Sequence, residues 1–336
     1  MSAYPVTPPV DAGMLDVGDR QQVYWEAAGN RQGKPALILH GGPGSGMSAR
    51  TRRMFDPDRY LMVQFDQRQC GRSTPHAAEP AADLSANTTQ HLIADIEQLR
   101  AHIGVDRWMV WGASWGSTLA LAYAQAHPSR VTEMILASVV TTTGPDVEWV
   151  TRTMGRVFPQ QWERFRDGVD SSERDGNLAA AYARLLMHPD PAVHEPAAQA
   201  WCAWEDTHVA TYAAHQPDPR YDDPRFRLCF ARLVTHYWSN AGFLQPGELF
   251  RRADRLAAIP ILMVHGQLDI SAPVDVPWNL AKVLPHSELV VINDEGHGGG
   301  DSMLEVIVAA TDRFAVAERV QSSAVNFGRI GREVRH

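Results

Sequence analysis

The sequence predicts an α/β protein, a mostly parallel sheet wrapped by helices and interrupted by an inserted helical cap. Three observations predict it. Short apolar runs alternate with helical patterns through the first 140 residues, as in consecutive strand–helix–strand units. The alternation stops between residues 141 and 256, where the pattern turns helical and aromatic-rich, and resumes from 257 to 320. Between an apolar run and an Ala/Leu-rich helix stands Gly112-Ala113-Ser114-Trp115-Gly116, the G-x-S-x-G turn that exposes a serine at a strand-to-helix junction. An ordinary strand–helix turn shares that short pattern, so the setting carries the reading. Residues 1–140 and 257–320 are read as one core domain, 141–256 as the cap, and 321–336 as a polar tail expected to be poorly ordered.

Residues 1–13, rich in Pro, Val and Ala, are expected to lie extended on the surface. Met14 to Ala28 predicts two antiparallel strands turning at Gly18-Asp19. Pro35 to Leu39 is a short apolar strand ending in His40-Gly41-Gly42-Pro43-Gly44. Tyr60 to Phe65 is another, ending in Asp66-Gln67-Arg68-Gln69-Cys70-Gly71-Arg72-Ser73. From Thr88 to Ile103, Leu92, Ile93, Ile96, Leu99 and Ile103 recur with helical spacing. The strand Arg107–Trp111 leads into the serine turn, Ser117–Ala126 is the helix after it, and Val131–Val140 is a further strand. The cap stretch holds Trp149, Phe158, Trp162, Phe165, Trp201, Trp204, Tyr212, Phe226, Phe230, Tyr237, Trp238 and Phe243. After it come a strand at Ile259–His265, a helix at Val276–Leu284, a strand at Glu288–Ile292 and a closing helix at Ser302–Glu318.

Composition removes several function classes. With 44% hydrophobic and 21% charged residues the chain has a normal globular balance, and its net charge of −8 argues against general nucleic-acid binding. Cys70, Cys202 and Cys229 are too few, odd in number and wrongly spaced for a disulfide framework. No signal-peptide pattern opens the chain and no apolar run reaches about 18 residues. A cytoplasmic setting, a small-molecule or short-peptide substrate, no nucleic acid and no membrane are therefore expected.

A serine hydroxyl needs a base to take its proton and a carboxylate to orient that base. In strand–turn–helix proteins of this kind the chain order is serine, acid, histidine. Asp269, after the strand ending at His265, and His297, in the loop Asp294-Glu295-Gly296-His297-Gly298-Gly299-Gly300, follow Ser114 in that order and close two later strands. Asp294 and Glu295 are alternative acids, but both lie very close in sequence to His297. Two backbone donors for the developing oxyanion are assigned to Trp115, next to the serine, and to Gly42 in the early glycine loop. That loop lacks the Gly-Lys-Ser/Thr of a phosphate-binding loop, and the fourteen histidines form no metal-ligand spacing, so neither metal nor cofactor is expected.

From about Gly18 to Val316 the chain resembles the proline iminopeptidases, α/β hydrolases of peptidase family S33. The resemblance rests on His40-Gly41-Gly42-Pro43-Gly44, on Asp66-Gln67-Arg68-x-Cys70-Gly71-Arg72-Ser73, on Gly112 to Leu121, and on Trp201-x-x-Trp204-Glu205 in the cap. It implies an α/β-hydrolase fold with a helical lid, and release of an N-terminal proline without a metal. It also implies that cap carboxylates bind the free amino group, with Glu205 in one such place. Where the family has R-I-E-N-H-Y-F, this chain has Arg232-Leu233-Val234-Thr235-His236-Tyr237-Trp238, so Val234 replaces a glutamate. Asp206 is a neighbour that points elsewhere on a helix. Smaller departures are Gln69 for a glycine, Ala272 where a cysteine is frequent, and Gly298 after the histidine. Trp201, Trp204, Tyr237 and Trp238 are expected to roof the site, with packing inside the cap as the alternative. Three functions are weighed: an aminopeptidase preferring N-terminal proline, favoured by Glu205; an ester, lactone or amide hydrolase without an amine requirement, favoured by Val234; and a non-catalytic binding protein, disfavoured by the serine–acid–histidine order.

Overall fold

The computed structural model describes residues 3–209 and 216–316. Tyr212, the last residues assigned to the closing helix and the polar tail lie outside them. Among the described residues one eight-stranded sheet runs through the core. Its strands are β1 (Pro9–Asp16), β2 (Gln22–Gly29), β3 (Lys34–Leu39), β4 (Tyr60–Phe65), β5 (Trp108–Ala113), β6 (Val131–Ala137), β7 (Ile261–Gly266) and β8 (Glu288–Ile292), in spatial order β1-β2-β4-β3-β5-β6-β7-β8. The β1–β2 and β2–β4 pairs are antiparallel; from β4 to β8 every pair is parallel. β4 and β7 are buried along their whole length, so they are covered on both faces and read as continuous apolar runs.

The first strand begins at Pro9, inside the stretch expected to be a surface arm. Proline has no N–H to contribute to a ladder, and β1 is the sheet edge where that lack is tolerated. β6 stops at Ala137, three residues short of its expected end. The backbone beyond it is turned toward the site: Val139 N–H donates to His265 Nδ1 and Val140 N–H to Ser117 Oγ, both at 3.0 Å.

Helices α1 (Thr89–Ile103) and α2 (Trp115–Ala126) pack on one face of the sheet. The Thr88 side chain caps α1 by accepting the His91 N–H, and Gly104, at φ 79°, ends it. The cap comprises α3 (Gly144–Thr151), α4 (Pro159–Asp167), α5 (Leu178–Leu186), α6 (Pro191–Val209) and α7 (Pro224–Ser239). The short α8 (Glu248–Arg251) returns the chain to the core. There α9 (Asp275–Val283) joins β7 to β8, and α10 (Asp301–Val316) covers the other sheet face with Met303, Ile307 and Phe314.

The cap has its own apolar core, centred on Phe165, Tyr182, Trp201 and Trp204. It is tied to the α/β domain at separated points. Trp149 Nε1–H donates to the Ile270 carbonyl at 2.7 Å, and Arg220 Nη1 to the Ser45 carbonyl at 2.8 Å. Buried Arg232 donates to the carbonyls of Ala77 and Glu79, and Tyr237 O–H to Asn87 Oδ1 at 2.7 Å.

Candidate active site

Because β3, β5, β7 and β8 run parallel, the loops after them open at one edge of the sheet, where ligands of open α/β sheets bind. Those loops carry Gly42, Ser114, Asp269 and His297. Ser114 sits at φ 53°, ψ −128°, a conformation that non-glycine residues rarely adopt, directly before α2. The flanking glycines are there for space. A Cβ on Gly112 would collide with the Gly116 carbonyl, and one on Gly116 with the Leu39 carbonyl. The turn is held by Ser114 N–H to the Ala137 carbonyl at 3.0 Å and by Ser117 Oγ–H to the Ser114 carbonyl at 2.7 Å.

The structure brings the three expected side chains into one hydrogen-bonded line. His297 Nε2 lies 2.9 Å from Ser114 Oγ, and His297 Nδ1 lies 2.8 Å from Asp269 Oδ2 and 3.1 Å from Oδ1. Asp269 is buried and further held by the Ala272 N–H at 2.8 Å. Burial disfavours the His297 imidazolium, but the charge and hydrogen bond of Asp269, helped by Glu205, outweigh it and lift the pKa above the ordinary histidine value. The alternative acid Glu295 is occupied elsewhere, accepting the N–H groups of Ser302 and Met303 at the start of α10.

Gly42, Ser114, Trp115, Glu205, Trp238 and His297 line one cavity of about 60 Å³. Trp115 is the first residue of α2, so its N–H has no acceptor within the helix. Gly42, at φ 106°, occupies backbone space closed to other residues. The two loops are clamped by Gln67. Its amide donates to the His40 carbonyl at 2.9 Å, its Oε1 accepts the Trp115 indole N–H at 2.9 Å, and its own N–H donates to His40 Nε2 at 3.1 Å. Arg68 beside it makes a buried two-pronged contact with Asp95 of α1 at 2.7 and 2.8 Å. His40, Asp66 and Cys70 place ligand-type atoms within 4.8 Å of one another. Those atoms already serve the protein: Asp66 accepts the Met47 and Arg72 N–H groups, and the Cys70 thiol donates to the Gln67 carbonyl.

The cap residues divide. Glu205 and Trp238 reach the cavity. Trp201, Trp204 and Tyr237, expected to roof the site, are buried and do not line the cavity, and neither does Val234. Trp201, Trp204 and Val234 turn into the cap's own core. Tyr237 packs its ring 4.5 Å from that of Trp115 and spends its hydroxyl on Asn87. Asp206 Oδ1 accepts the Asp218 N–H at 2.9 Å.

Glu205 is buried, and that burial pushes its carboxyl up to about 7, against the opposing pull of His297 and of the Trp201 indole, which donates to Oε1 at 3.2 Å. The cavity is also lined by His208, Ser271, Thr142, Asp146, Val147 and Val150, which sequence reasoning missed. His208, three residues past Glu205 on α6, shares its helix face, and that spacing was the available signal. Asp146 is a second acid in the wall, but its Oδ2 is engaged by Thr141 and Thr143 at the start of α3.

A family model described as the alpha/beta hydrolase fold matches residues 34–300. A probable proline iminopeptidase of Streptomyces coelicolor is 50% identical over 320 residues, covering 94% of this chain and 98% of that protein. The chain belongs to the proline iminopeptidase family. A proline iminopeptidase of Xylella fastidiosa is 42% identical over 314 residues, covering 93% of this chain and 98% of that protein. One from Arabidopsis thaliana is 38% identical over 305 residues, 90% and 79%. Among solved structures, the proline iminopeptidase of Mycobacterium smegmatis superposes with a TM-score of 0.60 at 18% identity, over 91% of this chain and 99% of that one, a likeness of fold. The chain is thus a hydrolase of the prolyl aminopeptidase type. Its departures from the family pattern are accommodated locally. Gln69 holds a left-handed φ of 66° while its side chain bonds the Asp83 carbonyl and Asn87. Nothing in the structure explains Gly298.

Proposed function

We propose that this protein releases N-terminal proline from short peptides through an acyl-enzyme on Ser114. His297 Nε2 takes the Ser114 Oγ proton as Oγ attacks the scissile carbonyl, and Asp269 holds the opposite ring nitrogen protonated. The N–H groups of Gly42 and Trp115 receive the oxyanion. His297 then returns the proton to the leaving amine, and water, activated by the same ring, releases proline. Ser114, His297 and Asp269 act here as a catalytic triad, with no metal in the scheme.

The observation that carries the reading is Glu205, a buried carboxylate in the wall of the cavity that holds Ser114. A buried carboxylate beside a nucleophile calls for a cationic partner, and the amine of an N-terminal residue is one. The related enzymes' names support the same substrate. We infer a cytoplasmic setting from the three buried cysteines, all free thiols. Among the described residues no helix is long and apolar enough to cross a membrane.

The test is a comparison of prolyl 4-nitroanilide with the 4-nitrophenyl ester of cyclopentanecarboxylic acid, a carbocyclic analogue without the amine. The prolyl anilide should be cleaved well despite its far poorer leaving group, and a serine-directed phosphonate should label Ser114. Cleavage of the ester with none of the anilide would reject the aminopeptidase reading.

A further inference from the structure

His208 is buried in the cavity wall, and every side of its ring except one is spoken for. The Ser271 hydroxyl donates to its backbone carbonyl at 2.9 Å. That hydroxyl has a single proton, now committed, so the Ser271 oxygen, 2.8 Å from His208 Nδ1, accepts from it. Nδ1 therefore carries the ring proton, and Nε2 is a bare lone pair. The Trp204 ring packs 5.6 Å from the imidazole. Nε2 is buried, has no hydrogen-bond partner among the described residues, and lies 3.4 Å from Glu205 Oε2.

We propose that His208 Nε2 is a second acceptor for the substrate's N-terminal amine, sharing it with Glu205. The inference rests on the aminopeptidase reading and adds to it the residue that completes amine recognition. The ammonium of an N-terminal proline has two N–H bonds. A carboxylate oxygen and an imidazole nitrogen set side by side offer one acceptor to each. Without a cation, these two acceptors face each other across 3.4 Å with nothing between them, an arrangement that favours a proton on Glu205. Burial acts on the two groups in the same sense: it raises the Glu205 carboxyl to about 7 and lowers His208 to about 3, so the imidazole stays neutral and available as an acceptor. An arriving ammonium supplies both hydrogen bonds. A primary amine has a third N–H that this pair leaves unmet, which favours proline over other N-terminal residues.

The test is His208→Phe, which keeps an aromatic ring and removes the acceptor, assayed on prolyl 4-nitroanilide and on the cyclopentanecarboxylic ester. Loss on the prolyl substrate should exceed loss on the ester by about tenfold or more, as for a hydrogen bond to a charged group. Equal losses on both, or none on either, would overturn the proposal while leaving the aminopeptidase reading in place. A wild-type enzyme that ignores the prolyl anilide would remove both. Should His208→Phe not fold, ¹⁵N spectra of the Ser114→Ala protein decide the matter. The His208 Nε2 resonance should move on saturation with prolyl 4-nitroanilide and stay put with its cyclopentane analogue. No movement with the prolyl compound rejects the assignment.

Discussion

Ser114 and Glu205 face the same cavity but are held there by different means. Ser114 is placed by backbone sterics within five residues: glycines on either side, a left-handed φ, and a helix that starts at the next residue. Glu205 is placed by packing. Trp201 and Trp204 of the same helix turn into the cap core, and the remaining face of α6 carries Glu205 and His208 toward the nucleophile. The first device fixes chemistry and tolerates almost no change. On the proposed mechanism the second sets selectivity, and its residues can be altered one at a time without touching Ser114.

Ser114→Ala probes this difference hardest. It should lower kcat by about 10⁴-fold or more on prolyl and neutral substrates alike, with thermal stability little changed. Comparable activity in that variant would break the mechanism. Glu205→Gln should act on one substrate only. Losing a charge-assisted hydrogen bond to the amine costs about 1.5–3 kcal/mol, or one to two decades in kcat/KM for prolyl 4-nitroanilide. The neutral ester should change by less than about threefold. Equal losses would erase the distinction between chemical and selective regions.

The pH profile sharpens the same comparison. On the proposed mechanism, prolyl hydrolysis needs His297 neutral and Glu205 ionised. Both carboxyl and imidazole are shifted upward, Glu205 to about 7, so protonation of either stops the reaction as pH falls. The acid limb of kcat/KM for the prolyl anilide should approach a slope of two, and for the neutral ester a slope of one. Glu205→Gln should reduce the prolyl limb to one as well. A slope of one for both substrates in the wild type would mean that Glu205 does not titrate with activity.

The smallest effect on catalysis is expected from Val234→Glu. Val234 is fully buried in the cap core, and the new carboxylate would sit among apolar side chains there. It should give no gain on prolyl substrates and a lower Tm, by a few degrees or more. A gain at unchanged Tm would mean that the cap can repack to present this position to the cavity.

The core was readable because its signals are local. Burial on both faces writes β4 as an unbroken apolar run, and the serine turn is written in adjacent glycines. Asp269 and His297 follow as the residues that close two parallel strands. The cap was readable as helical but not as a surface. A tryptophan serves equally as core or as roof, and only the tertiary packing of the cap sends Trp201 and Trp204 inward and leaves Trp238 at the cavity. His208 and Ser271 carry no motif. They matter because residues 63 apart in sequence meet, and no spacing rule expresses that. Val234 stood out against the family pattern, yet the position is filled by packing in the cap core.

The ties between cap and core have a kinetic meaning. Trp149, Arg220, Arg232 and Tyr237 fasten the cap at well-separated points, and Tyr237 also lies against Trp115 beside the nucleophile. A cap held this way cannot swing on a single hinge; lifting it means breaking several bonds at once and exposing buried rings. Docking of a peptide terminus should therefore be a simple second-order step, with acylation rates that saturate without a slow isomerisation ahead of them.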